Sequence, residues 1–218
     1  MKPRTATIRR KTRETNMTVM LNLDGTGASA IDTGLPFLDH MLELMSRHSL
    51  IDLTVTARGD LHVDYHHTVE DLGLCLGSAL DKALGTRRGI SRYGWCLLPM
   101  DESLSRAVVD LGGRPFLVYN IANRRRKILE FDLALLGEFL RAFVTQGRMN
   151  LHVEHLYGAD PHHAHESTFK AVARALRQAE YARVFLPILL TVAIGGSVTL
   201  LYALLLFVPW VSLLYSLT

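Results

Sequence analysis

Cysteine is nearly absent. Cys75 and Cys96 are the only two in 218 residues and form no CxxC pattern, so neither a disulfide framework nor a thiolate metal cluster is on offer, and a reducing compartment is the default. Charge of one sign is also lacking. The net charge of +3 is too small and too scattered to argue for nucleic acid, although an anionic small molecule fits. The opening MKPRTATIRRKTRETN carries charge but no apolar run, which excludes a secretory signal there. The final 35 residues, Val184 to Thr218, hold no charged residue. What is present is the makeup of a folded protein: 49% hydrophobic and 21% charged, which excludes disorder.

Short strand-like runs alternate with helical periodicity, an α+β pattern. Thr18 to Leu23 alternates and stops at the turn-forming Asp24-Gly25-Thr26-Gly27. Leu53–Val55 and Leu61–Val63 read as two strands joined through Arg58-Gly59-Asp60. Ala107–Leu111 and Pro115–Tyr119 read as a hairpin about Gly112-Gly113. A helix is expected after His66-His67, with Val69, Leu72, Leu76, Leu80 and Ala83 on one face and Gly85 at its end. The basic run Arg124-Arg125-Arg126-Lys127 reads as a solvated turn.

The chain carries an internal repeat. His66-His67-Thr68-Val69-Glu70 and His162-His163-Ala164-His165-Glu166 share the pattern HHxxE 96 residues apart, and each opens an amphipathic helix. Upstream, Asp52-Leu53-Thr54-Val55 matches Asn150-Leu151-His152-Val153 at an offset of 98. The same offset aligns Leu38-Asp39-His40-Met41-Leu42 with Leu136-Gly137-Glu138-Phe139-Leu140, so His40 corresponds to Glu138. The expectation is one duplicated domain over residues 1–180, with repeats of about 1–90 and 91–180. Each copy is a small, mostly antiparallel sheet with packed helices, and residues 181–218 form an apolar tail.

On a helix, His66 and Glu70 are i and i+4, and His67 and Glu70 are i and i+3, so one helix start presents several donors to a shared or adjacent ion. Nitrogen and oxygen donors without thiolate suit Mn, Fe, Co, Ni or Zn, and two clusters suggest two ions. His62, His152, His155 and His165 lack a patterned acidic partner and read as structural. His48 lies eight residues after His40, two turns along the same expected helix and on roughly the same face.

Several longer boxes carry a resemblance. They are GLPFLDHMLELMSRH from Gly34, HHTVED from His66, GISRYG from Gly89, PMDE from Pro99, DLGGRP from Asp110, LHVEHLYGADPHHAHESTFKAVARALRQA from Leu151, and Arg13-Glu14-Thr15. Over about residues 4–179 the chain resembles imidazoleglycerol-phosphate dehydratase of histidine biosynthesis. That resemblance implies a hydro-lyase that converts imidazole glycerol phosphate to imidazole acetol phosphate, with two Mn ions per active site. It also implies a homo-oligomer of 24 subunits whose sites are shared between copies. The metal ligands it implies are His40, His66, His67, Glu70, Glu138, His162, His163 and Glu166; at position 138 the family pattern has histidine. It further implies Glu14 as the proton-moving acid, and Glu14, His48, Arg92, Arg114 and Lys170 as substrate-binding residues, the arginines for phosphate. Two ions holding both ring nitrogens would stabilise the imidazolate, whose electrons help expel hydroxide from the adjacent carbon. A metallohydrolase with an activated water would use the same residue types.

The resemblance ends near Ala179. The family's closing Ser/Thr-Lys-Gly motif, a further phosphate contact, is missing, which predicts weakened substrate affinity. In its place about 25 mostly apolar residues precede Pro209, enough to cross a bilayer as a helix over 184–208. Arg174, Arg177 and Arg183 precede that stretch, which would keep the rest of the chain in the cytoplasm. A frameshifted or fused ending explains the same composition, and a membrane-tethered, weakly active or non-catalytic paralogue is the second reading.

Overall fold

A computed structural model describes residues 3–122 and 126–181. Arg124, Arg125 and the apolar tail with its expected membrane span lie outside the described residues. Among the described residues no helix is long and apolar enough to cross a membrane.

The first half runs β1 (Thr5–Lys11), β2 (Thr15–Asn22), β3 (Ser29–Asp32), α1 (Pro36–Ser49), β4 (Asp52–Gly59) and α2 (His66–Leu84). The second runs β5 (Tyr93–Met100), β6 (Ser103–Asp110), β7 (Phe116–Asn120), a two-residue pair β8 (Lys127–Ile128) and β9 (Phe131–Asp132), then α3 (Ala134–Gly147), β10 (Asn150–Tyr157) and α4 (Pro161–Glu180). Sheet order is β1-β2-β4-β3 in one half and β5-β6-β10-β7 in the other, so one topology occurs twice. In each sheet the last-placed strand pairs parallel with its neighbour, β3 with β4 and β7 with β10, while the other pairings are antiparallel. The α+β duplicated fold expected from sequence is the fold observed.

Alternation dictates which face of each sheet is buried. In β2 and β4 the inward residues are Val19, Leu21, Leu53 and Val55; in β6 and β10 they are Ala107, Val109, Leu151 and Val153, all buried. Helices cover these faces and pair across the repeat: α2 lies on β1 and β2, α4 on β5 and β6, while α1 packs on α4 and α3 on α2. Gly73 permits the α2–α3 approach, since a Cβ there would stand 2.6 Å from the Phe139 carbonyl oxygen. Phe139 anchors the shared core, its ring stacked on Phe143 and Phe169 at 6.1 and 6.0 Å.

Three local readings are corrected. Leu61–Val63 is a turn closed by the Val63 amide donating to the Asp60 carbonyl (2.8 Å), with His62 and Val63 in solvent; the short apolar run mimics a strand. Ala107–Leu111 and Pro115–Tyr119 do not form a hairpin, because β10 inserts between β6 and β7 and bonds to both. That pairing is made by residues some 40 positions away, which local turn signals do not encode. Finally, α2 begins at His66 itself, because Asp64 Oδ1 accepts from the His66 amide (2.8 Å).

Candidate metal centre

The histidine doublets sit at helix starts for a local reason. Asp160 caps α4, its Oδ1 accepting from the amides of His162 (2.7 Å) and His163 (3.3 Å), with Pro161 in the first turn. Asp64 is the counterpart before α2. At such a start the adjacent side chains splay apart: the rings of His162 and His163 stand at 89° and those of His66 and His67 at 78°. The two imidazoles of each doublet accordingly meet different carboxylates, His66 meeting Glu70 and His67 Asp60, His162 meeting Glu166 and His163 Glu102.

At the start of α4 the first histidine of the doublet and the carboxylate four residues on are joined by a histidine from the first half. His162 Nε2 lies 3.0 Å from Glu166 Oε2, and His40 Nε2, from α1, lies 3.3 Å from the same oxygen. These three are the group of donors among the described residues that could hold a metal ion, with ligand atoms all within 4.8 Å of one another. Donors about 2.1 Å from one divalent ion, at right angles, stand about 3.0 Å apart, so the spacing fits a nitrogen- and oxygen-bound cation. Lys170 Nζ holds the other Glu166 oxygen at 2.6 Å. Burial pushes the Glu166 carboxyl up, but Lys170, His40 and His162 outweigh it and leave the group below its ordinary value. The anionic form that a cation needs is thus favoured.

The counterpart on α2 and α3 is only half assembled. His66 Nε2 stands 3.5 Å from Glu70 Oε2, but Glu138 turns to Arg141 at 3.4 Å. His67, expected to reach an ion shared with or adjacent to that of Glu70, has its Nδ1 3.0 Å from Asp60 Oδ2. The two groups are separated within one chain by packed rings: Phe37 touches His162 and Phe131, and Phe131 touches Tyr65, which precedes His66.

The remaining candidates divide in two. His48 lies close to Glu166, Lys170 and Arg174; burial pushes its imidazole below the ordinary value, the neighbouring cations Lys170, Arg174 and Arg47 add to that, and Glu166 opposes. Glu14 sits exposed at the β1–β2 turn, where the Thr12 hydroxyl accepts from the amides of Glu14 (3.1 Å) and Thr15 (2.9 Å), and Thr15 Oγ1 donates to buried Asp71 (2.5 Å). Its charge reaches His67, raised above its ordinary value chiefly by the Asp60 hydrogen bond. Arg92 and Arg114, by contrast, are not brought to the cluster. The Arg92 guanidinium forks onto Asp110 at 2.7 and 3.1 Å, and its amide donates to the Ala179 carbonyl, 17 residues beyond His162 in α4 and so roughly 25 Å away. Arg114 lies exposed at that same end, where it helps hold Asp110 below its ordinary value after Arg92. His62 lies in a turn, His152 and His155 on β10, and buried His165 donates Nδ1–H to the Pro161 carbonyl (2.7 Å); the three-residue cluster includes none of them.

Sequence reasoning missed Asp60 and Glu102. Glu102 stands in the β5–β6 turn 88 residues after Glu14, the same offset that separates β2 from β6, and His163 Nδ1 lies 2.8 Å from its Oε2. Extending the repeat upstream to the hairpins was the signal that would have found it.

Known proteins share the sequence and the fold of this chain. A family model of imidazoleglycerol-phosphate dehydratase matches residues 33–176. An imidazoleglycerol-phosphate dehydratase of Nitrobacter hamburgensis is 56% identical over 176 residues, covering 81% of this chain and 89% of that protein. One of Chromobacterium violaceum is 54% identical over the same shares. The crystal structure of the Staphylococcus aureus dehydratase superposes with a TM-score of 0.75 at 36% identity, covering 82% of this chain and 99% of that one.

Proposed function

The chain belongs to the imidazoleglycerol-phosphate dehydratase family and is a hydro-lyase of histidine biosynthesis; from that premise we propose that it converts imidazole glycerol phosphate to imidazole acetol phosphate at a site built for two Mn ions. The observation that carries this reading is the convergence of His40, His162 and Glu166. His66, Glu70 and Glu138 would hold the second ion, with His67 and His163 completing the donor sets. Bound Mn would supply positive charge to both nitrogens of the substrate ring, lowering the cost of the electron density that helps expel hydroxide from the carbon attached to it.

The protein groups do the rest. Glu14 takes the proton from the next carbon along the substrate, and the enol so formed becomes the ketone. Lys170 neutralises Glu166 on its far side and keeps that carboxylate aimed at His40 and His162. His48, its charge disfavoured first by burial and then by Lys170 and Arg174, is available as a neutral hydrogen-bonding partner for a substrate hydroxyl. Arg92 and Arg114 bind phosphate, for which a guanidinium fork is well shaped.

The site is shared between copies of the chain in a homo-oligomer of the 24-subunit kind. Two features support sharing: the phosphate-binding arginines and the His40 cluster lie at opposite ends of α4, and the second histidine of each doublet meets a carboxylate other than the one the first meets. An outer face on the second sheet with exposed Trp95, Leu97, Val108 and Phe116 offers apolar area for association.

The test is turnover of the Mn-loaded full chain, followed by formation of the keto phosphate. Glu14→Gln should lower kcat by about 10²- to 10⁴-fold, the usual share of a general base, with Mn content unchanged. No product from wild-type protein, or wild-type kcat in Glu14→Gln, would contradict the reading.

A further inference from the structure

We propose that Asp60 and Glu102 are positioning residues: each accepts the Nδ1 proton of one imidazole, His67 or His163, and so presents Nε2 as the lone pair for a metal ion. This rests on the reading of the doublets as metal ligands. A carboxylate only accepts, so a contact of 3.0 Å from Asp60 to His67 Nδ1 and of 2.8 Å from Glu102 to His163 Nδ1 assigns the proton in each neutral ring to Nδ1. Nε2 is then the basic nitrogen. On His163 it makes no hydrogen bond to a carboxylate, the Asp101 oxygen lying 3.8 Å off. Metal-binding imidazoles are commonly fixed in this way by a carboxylate on the second nitrogen.

The supports of the two carboxylates argue for a built arrangement. Glu102 is fastened by three donors on its other oxygen: the amides of Asp160 (2.9 Å) and Ala159 (3.3 Å) and the Ser103 hydroxyl (3.3 Å). Asp160 in turn caps the helix that starts with His162 and His163. A single connected set of bonds therefore fixes both where the doublet begins and which way His163 is turned. Asp60 is the more enclosed of the pair, its side chain 16% exposed against 43% for Glu102, and its Oδ2 is the oxygen that His67 meets, Oδ1 being buried without a hydrogen-bond partner.

The repeat gives this arrangement a meaning. Glu102 and Glu14 occupy the same hairpin position, 88 residues apart. In the second half the hairpin glutamate is spent on orienting a histidine; in the first half Asp60, from the β4–α2 loop, does that work. Glu14 is thereby released, and its carboxylate has no hydrogen-bond or ion-pair partner among the described residues. One position thus acquired two tasks, histidine orientation at 102 and proton transfer at 14.

Mn binding to the full chain, measured by competition with a chelating dye, tests this independently of turnover. Glu102→Gln and Asp60→Asn should each weaken part of the bound Mn about 10- to 100-fold, whereas Glu14→Gln should leave affinity unchanged. In a His163→Ala background Glu102→Gln should add nothing, because its effect travels through that ring. Melting of the metal-free variants separates orientation from folding. Affinity losses that merely track melting losses, or full additivity with His163→Ala, overturn the proposal. Wild-type affinity in Glu102→Gln with a loss in His163→Ala overturns it while sparing the metal-ligand reading. Absence of Mn binding by the wild type overturns both.

Discussion

Row for row, the two sheets share a register and differ in what they present outward. Trp95, Val108, His152 and Val118 lie side by side across the second sheet; the equivalent row of the first is Thr7, Met20, Thr54 and Ala30. Neighbouring rows repeat the contrast, with Leu97 against Arg9 and Phe116 exposed near one end. The inward rows remain alike, Val19 and Leu21 against Ala107 and Val109. Burial against the helices thus holds half of each strand to apolar residues, and the other half diverged. A four-strand face carrying Trp and Phe is costly in water and gains from being covered, while a Thr- and Arg-rich one does not.

The two donor groups differ in the same instructive way. His40, His162 and Glu166 converge; Glu138 at the matching position is drawn off by Arg141. The difference is sharpened first by Glu166→Ala. It removes the carboxylate that both imidazoles share, and we expect a fall of more than about 100-fold in Mn affinity, read by dye competition, with keto phosphate formation lost alongside. Retention of both would mean that the convergence is a buried hydrogen-bond network and nothing more.

Next in size is Trp95→Glu. A charge in the apolar row should leave the helical signal of the chain intact but shift its mass in solution toward smaller assemblies, whereas Thr7→Glu on the first sheet should not. Equal behaviour of the two variants by native mass measurement would break the comparison of faces.

A smaller effect is expected at a pair of equivalent positions, 52 and 150. Asp52 accepts from the amides of Thr26 (2.7 Å), Ala28 (3.0 Å) and Gly27 (3.1 Å), and these bonds, Thr26 foremost, hold its carboxyl below the usual value. Asn150 instead donates to the Arg114 carbonyl (2.6 Å). Because folding lowers the pKa of Asp52, its stabilisation is complete above the unfolded value near about 3.9 and is lost as pH falls through the folded one. Asp52→Asn should therefore cost about 1 kcal/mol at neutral pH, and the gap from wild type should close in acid, as read by denaturant midpoints. A gap that persists below that range would assign the loss to packing.

The smallest effect is at Arg141. An exposed pair is worth about 0.2–1 kcal/mol, so Arg141→Ala should free Glu138 and tighten the second Mn by about 1.5- to 5-fold in the same titration. Unchanged or weaker binding would show that Arg141 is not what withholds Glu138.

Much of this was legible in the sequence. The offset of 98 paired His40 with Glu138, and α1 and α3 begin and end 98 residues apart, as do β4 and β10. The helices themselves were legible because an apolar stripe follows HHxxE in both copies, although α2 starts earlier than expected, at His66. What escaped reading was long-range or directional. No local signal places β10 between β6 and β7, and spacing alone cannot tell that the second histidine of a doublet meets a carboxylate other than the one three residues on. Helical spacing says which residues share a face; it does not say that His67 meets Asp60 and His163 meets Glu102.

The most direct measurement is the number of Mn ions held per chain in the assembled protein, by native mass together with metal analysis. The account predicts two per chain, falling to one in Glu166→Ala. A single ion per chain at full dehydratase turnover would contradict it.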